Sequence, residues 1–150
     1  MGYIHTQKGP LHYFLFAVAA VLIVSAQMSI GQPSVTIVLG VVAGIVVLFA
    51  FCFRTLTIFD EGMRLSLQYG PLPLFRKSID YSNITSVEPG LSSIIDGWGI
   101  HWVPGRGWTY NLWGFDCVIL HLGNSVIRIG TSDVDNLVNF LEQRIASDRG

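Results

Sequence analysis

The side chains of this chain that could act as base, thiolate or metal ligand are four histidines, two cysteines and ten acidic residues. His5, His12, His101 and His121 have neither HExxH nor paired-ligand spacing. His101 and His121 alternate with apolar residues and read as partly buried structural histidines. Cys52 lies in an apolar run and Cys117 in a predicted strand, a pattern of buried thiols in a reducing compartment rather than of a disulfide or CxxC site. The acids are scattered singly, except Asp60-Glu61 in turn chemistry and Asp133/Asp135 at a helix start. Gly97-Trp98-Gly99 and Gly105-Arg106-Gly107 lack the strand–GxGxxG–helix setting of a phosphate cradle, and no GxSxG elbow is present. The sequence predicts no enzyme, metal or cofactor.

Aromatic residues are the other concentration. All four tryptophans fall within residues 98–113: Trp98, Trp102, Trp108 and Trp113, joined by Tyr110. Alternation in 100–103 and 109–112 allows cross-strand aromatic pairs, worth about 0.2–1 kcal/mol each. Three readings stand: a strand pair packed with aromatics, a rim at a bilayer interface, or a partner hot spot. At least one of Trp98 and Trp108, which border glycine turns, is expected to be exposed to the bilayer interface or a partner, whereas the strand-borne Trp102 is expected to pack better. Arg106 either presents a cation and adjacent amides to an anion or forms a solvated turn tip. Trp98, Arg106, Trp108 and Tyr110 are the candidate binding residues.

What must position these residues begins at 11–53, which contains no Asp, Glu, Lys or Arg. Two apolar runs, 13–30 and 35–53, flank Gly31-Gln32-Pro33-Ser34. As helices each rises roughly 27 Å, close to a hydrocarbon core of ~30 Å, and the Gly-x-Pro break turns the chain back. The expected organisation is an N-terminal segment 1–10, a transmembrane helical hairpin 11–53 and a domain 54–150. A signal peptide cleaved after Val24-Ser25-Ala26 competes, although the run exceeds the usual h-region. Lys8 and Arg54 flank the hairpin while its turn is uncharged, which places both termini in the cytoplasm. Gly40 and Gly44 form a GxxxG pattern for helix packing, either against a second copy or against Ala17 and Ala20 of the same hairpin; the short turn favours the latter.

After residue 54 the period becomes two. Met63, Leu65, Leu67 and Tyr69 alternate with Arg64, Ser66 and Gln68, and the turn Asp60-Glu61-Gly62 joins strands 55–59 and 63–69. Further strands are expected at 76–80, 84–89, 100–103, 109–113, 117–122 and 126–130. Val134, Leu137, Val138, Leu141 and Ile145 recur at helical spacing, with Ser132 and Asp135 approximating a capping box. Residues 54–150 hold eight of the nine basic and all ten acidic residues, a net charge near −2. That excludes general attraction to nucleic acid or anionic lipid.

The order of short strands closed by one helix resembles a pleckstrin-homology-like (PH-like) domain, and the chain resembles the bacterial membrane-anchored PH-like families. Leu56-Thr57-Ile58-Phe59-Asp60-Glu61-Gly62, Ile79-Asp80-Tyr81-Ser82-Asn83-Ile84-Thr85-Ser86-Val87 and Ile127-Arg128-Ile129-Gly130-Thr131 carry the likeness. It implies a barrel of about seven antiparallel strands with a C-terminal capping helix, held at the inner (plasma) membrane. It also implies a non-catalytic scaffolding role toward another membrane protein or a copy of the chain. The alternative is recognition of a lipid headgroup or small anion. Phosphoinositide binding is not inherited, since the first strand–strand loop is acidic where inositol phosphates need cations.

Overall fold

The computed structural model describes residues 2–93 and 97–148. Two helices, α1 (Leu11–Met28) and α2 (Pro33–Cys52), are long and apolar enough to cross a membrane. Pro33 opens α2, where its missing N–H is no loss, and the Thr36 hydroxyl donates to the Ser29 carbonyl at 2.6 Å, closing the turn. Ala19 and Ala26 of α1 and Ala43 and Ala50 of α2 are the buried small residues of the pair. Each couple is seven residues apart, two helical turns, so alanine forms one continuous seam where the backbones approach closely. Gly40 and Gly44 are instead exposed, and a Cβ added at either meets nothing within 4 Å. The expected packing of these glycines against Ala17 and Ala20 is therefore incorrect; they lie away from the seam.

The helices are an excursion from a β-sheet. Strand β1 (Ile4–Lys8) precedes α1 and pairs antiparallel with β2 (Thr55–Asp60), which follows α2, with Lys8 opposite Thr55. Ile4–Lys8, within the expected N-terminal segment 1–10, thus pairs into the β domain. Only Gln7 of β1 is buried, so the strand lacks the apolar alternation by which strands are read. Strands β3 (Arg64–Tyr69) and β4 (Phe75–Asp80) complete a four-stranded sheet, β1-β2-β3-β4. At the β2–β3 turn the Gly62 N–H donates to Asp60 Oδ1 at 2.8 Å, and Gly62 takes a φ of +83°.

A second sheet contains β5 (Ser86–Leu91), β6 (Gly99–Val103), β7 (Gly107–Asn111), β8 (Asp116–Leu122) and β9 (Ser125–Gly130), in the order β5-β8-β9-β7-β6. The expected closed barrel of about seven antiparallel strands gives way to nine strands in two sheets, among the described residues. One pair is parallel: β7 runs alongside β9, with Thr109 opposite Arg128. Gly107 permits that approach, because a Cβ there would stand 2.1 Å from the Val126 carbonyl oxygen.

The inner faces of both sheets supply the core, including Leu56, Leu67, Val118, Leu120 and Ile129. Helix α3 (Val134–Asp148) adds Leu137, Leu141 and Ile145, the stripe expected from helical spacing. Each such leucine contributes about 1.5–3 kcal/mol by leaving water. The Leu137 N–H donates to the Asp133 carbonyl, so the helix is entered at Asp133, not at the expected Ser132.

Candidate functional site

The aromatic residues gather on and beside the β6–β7 pair. Trp102 faces Trp108 across the ladder, and the Trp98 and Trp113 rings lie 4.4 Å apart. Their exposures are 45% for Trp98, 57% for Trp102, 46% for Trp108 and 40% for Trp113. The expectation held for Trp98 and Trp108 and failed for Trp102, the most exposed of the four. The reason is position: β6 is an edge strand, so nothing in the sheet lies beyond Trp102. Tyr110, a candidate binding residue, is 8% exposed and belongs to the core. Burial pushes its hydroxyl pKa up.

Two buried residues hold this pair in place. The Tyr69 hydroxyl on β3 lies 3.2 Å from the Gly99 carbonyl oxygen and 3.4 Å from that of Asn111, tying the first sheet to β6 and β7. Burial raises the Tyr69 pKa well above its ordinary value, keeping the hydroxyl a donor. Asn111 shapes the turn bearing Trp113: its Oδ1 accepts the Trp113 N–H at 3.1 Å and its Nδ2 donates to the Gly114 carbonyl at 3.0 Å. Neither role was visible in the sequence, where an alternating Tyr and an Asn in an expected strand carry no distinguishing signal.

The cluster adjoins the helices. Trp98, Gly99 and Ile100 line a cleft of about 360 Å³ with Leu11, Leu15, Val46, Phe49 and Phe53 at the hairpin base. A Cβ on Gly9, just before α1, would stand 3.1 Å from Trp113. A second opening of about 260 Å³ separates the β4 and β6 edges, lined by Leu74, Phe75, Lys77, Ile100 and Trp108 among others.

Arg106 occupies the β6–β7 turn between Gly105 and Gly107, whose φ angles are +73° and +84°. Its guanidinium reaches the Ser93 hydroxyl at 3.4 Å, and its carbonyl accepts from Arg128 Nη1. Arg128, in an alternating strand, carries no signal in the sequence that sets it apart as a site residue. Among the described residues, four buried side-chain atoms lack a hydrogen-bond partner: Gln7 Oε1, His101 Nε2, Thr109 Oγ1 and Arg128 Nε. Such an atom costs about 1–3 kcal/mol when left dry.

One grouping has the outline of a nucleophile and base. His5 Nε2 lies 3.1 Å from Ser132 Oγ, and His5 Nδ1 lies 3.7 Å from Asp133 Oδ2. The second distance exceeds hydrogen-bond range. The Asp133 carboxylate is instead occupied by the Tyr3 hydroxyl at 3.1 Å and the Asn136 amide at 2.6 Å. Burial and the adjacent Asp133 charge hold the Tyr3 pKa above its usual value. The group fastens β1 to the start of α3. Among the described residues no three His, Cys, Asp or Glu side chains converge as a metal-ligand set.

Comparison with protein-family models and with curated proteins yields no match. Fold and surface are therefore the grounds for a functional reading.

Proposed function

We propose that this chain is a non-catalytic, membrane-tethered scaffold of the PH-like kind, in which a two-span hairpin holds a β domain against the cytoplasmic face of the membrane. The pairing of Lys8 with Thr55 supports this, because both hairpin ends must then lie on one side of the bilayer. Lys8 and Arg54 at those ends favour the cytoplasmic side. Cleavage after Ala26 would remove β1 from its sheet, which argues for a retained first helix.

The observation that carries the scaffold reading is the exposure of four indoles around one sheet edge. Trp98 and Trp113 flank the hairpin base, the level at which indole is favoured between lipid and water. Trp102 and Trp108, paired across β6 and β7 and both exposed, form the surface for another membrane protein or a second copy. Aromatic side chains dominate such contacts when they become fully desolvated.

The test is a photo-crosslinking residue at position 108 of the full chain in native membranes. Discrete protein adducts are expected, and Trp102→Ala should diminish them. Adducts to lipid alone would overturn the scaffold and reassign the whole aromatic edge to the bilayer.

A further inference from the structure

Three polar side chains from adjacent strands occupy one register row. His101 on β6 faces Thr109 on β7, which faces Arg128 on β9. The row lies on the outer face of the second sheet, since the alternating neighbours Tyr110, Ile127 and Ile129 belong to the core. Each member contributes a buried atom without a partner: His101 Nε2, Thr109 Oγ1 and Arg128 Nε. Thr109 is 0% exposed. Buried polar atoms are ordinarily satisfied, so three orphans in one row mark a place for water or an ion.

The chemistry of the row decides which. Arginine only donates, a hydroxyl rotates to donate, and imidazole donates from Nε2 in one neutral tautomer or as the cation. Two groups able to donate, in one row with the permanent positive charge of Arg128, suit an anion. Among the described residues Arg128 forms no ion pair; its Nη1 is spent on the uncharged carbonyl of Arg106. A tetrahedral oxyanion offers an oxygen to each donor, whereas a carboxylate offers only two oxygens.

Position relates the row to the hairpin. A Cβ added to Gly97 would come within 3.4 Å of the His101 ring, and the next residue, Trp98, lines the cleft at the hairpin base. We infer that the His101–Thr109–Arg128 row binds a phosphate group, carried either by a lipid headgroup or by a free phosphate compound. The site is on the other sheet from the acidic Asp60–Gly62 turn, and it does not depend on what the tryptophans contact.

The test uses the full chain in phosphate-free maltoside micelles. The ¹⁵N resonances of Arg128 Nε–H and the His101 ring are followed while inorganic phosphate, and separately dihexanoyl phosphatidic acid, replaces chloride at constant ionic strength. Saturable shifts of both resonances are expected. Saturation at lower concentration by the lipid assigns the headgroup as source, and saturation by inorganic phosphate alone assigns a soluble one. Arg128→Gln should weaken binding about tenfold or more, and the near-isosteric Thr109→Val should weaken it without unfolding the domain. If Arg128→Gln does not fold, the wild-type titration decides. Absent or non-saturating shifts with both probes would overturn the proposal and leave the row to bound water.

Discussion

Arg144 on α3 donates to the Asp60 carboxylate at the end of β2, with 2.6 Å between Nη2 and Oδ2. The contact joins the strand that follows the hairpin to the helix that ends the fold. The same carboxylate accepts from the Tyr81 hydroxyl and the Gly62 N–H, each at 2.8 Å. Burial alone would raise the Asp60 pKa, but the Arg144, Tyr81 and Gly62 hydrogen bonds outweigh it and the net shift is downward. A carboxyl more acidic in the folded state contributes stability in full above its unfolded value of about 3.9, and loses it as pH falls through the folded value. Urea midpoints of the full chain in detergent should therefore drop as pH falls below about 4. Asp60→Asn should cost on the order of 1–3 kcal/mol at neutral pH and flatten that dependence. An unchanged acid limb in the variant would exclude Asp60 as its source.

The exposure pattern of the indoles gives a stability ranking. Trp102→Ala and Trp108→Ala should each change thermal unfolding by no more than about 0.5–1 kcal/mol, while Leu120→Ala in the core should cost about 2–5 kcal/mol. Comparable losses for all three would make the tryptophans part of the packing.

Neighbouring positions on α2 should respond oppositely to added bulk. Ala43 is 3% exposed in the seam, whereas Gly44 meets open space. Ala43→Leu should cost about 1–3 kcal/mol by wedging the helices apart. Gly44→Leu should leave detergent melting curves unchanged or improved, since leucine is the better helix former. The reverse order would place the glycines back in the seam.

The proposed topology is tested by accessibility. Cys52 and Cys117 are buried, so an introduced thiol gives the signal. Ser34→Cys in the first turn of α2 should react with a membrane-impermeant maleimide in intact cells, and Ser125→Cys at the start of β9 only after lysis. Labelling of position 125 in intact cells, with 34 protected, would invert the orientation.

Much of this fold was legible because burial leaves a period. The Leu137, Leu141 and Ile145 stripe and the buried Leu65, Leu67 and Tyr69 of β3 appear where the sequence places them, whereas Met63 is exposed and Ser66 is buried against expectation. What stayed hidden has little apolar signature or depends on remote partners. β1 is polar and is defined by pairing with Thr55–Asp60. The hairpin seam is made by alanines that hydropathy does not distinguish from their neighbours. Exposure of Trp102 follows from β6 lying at a sheet edge, which local alternation cannot reveal. The His101–Thr109–Arg128 row exists only through the parallel β7–β9 register, which joins segments with β8 between them.

Because the helical pair is in effect the loop of the β1–β2 ladder, synthesis and assembly run in a fixed order. β1 is made first, yet its partner emerges only after both helices have been synthesised. In a bilayer, a chain whose second helix failed to cross would strand β1 and β2 on opposite sides, leaving the β2 edge bare for aggregation. Closing the ladder would thus report on insertion: the sheet becomes complete only when the helical pair has gone out and come back.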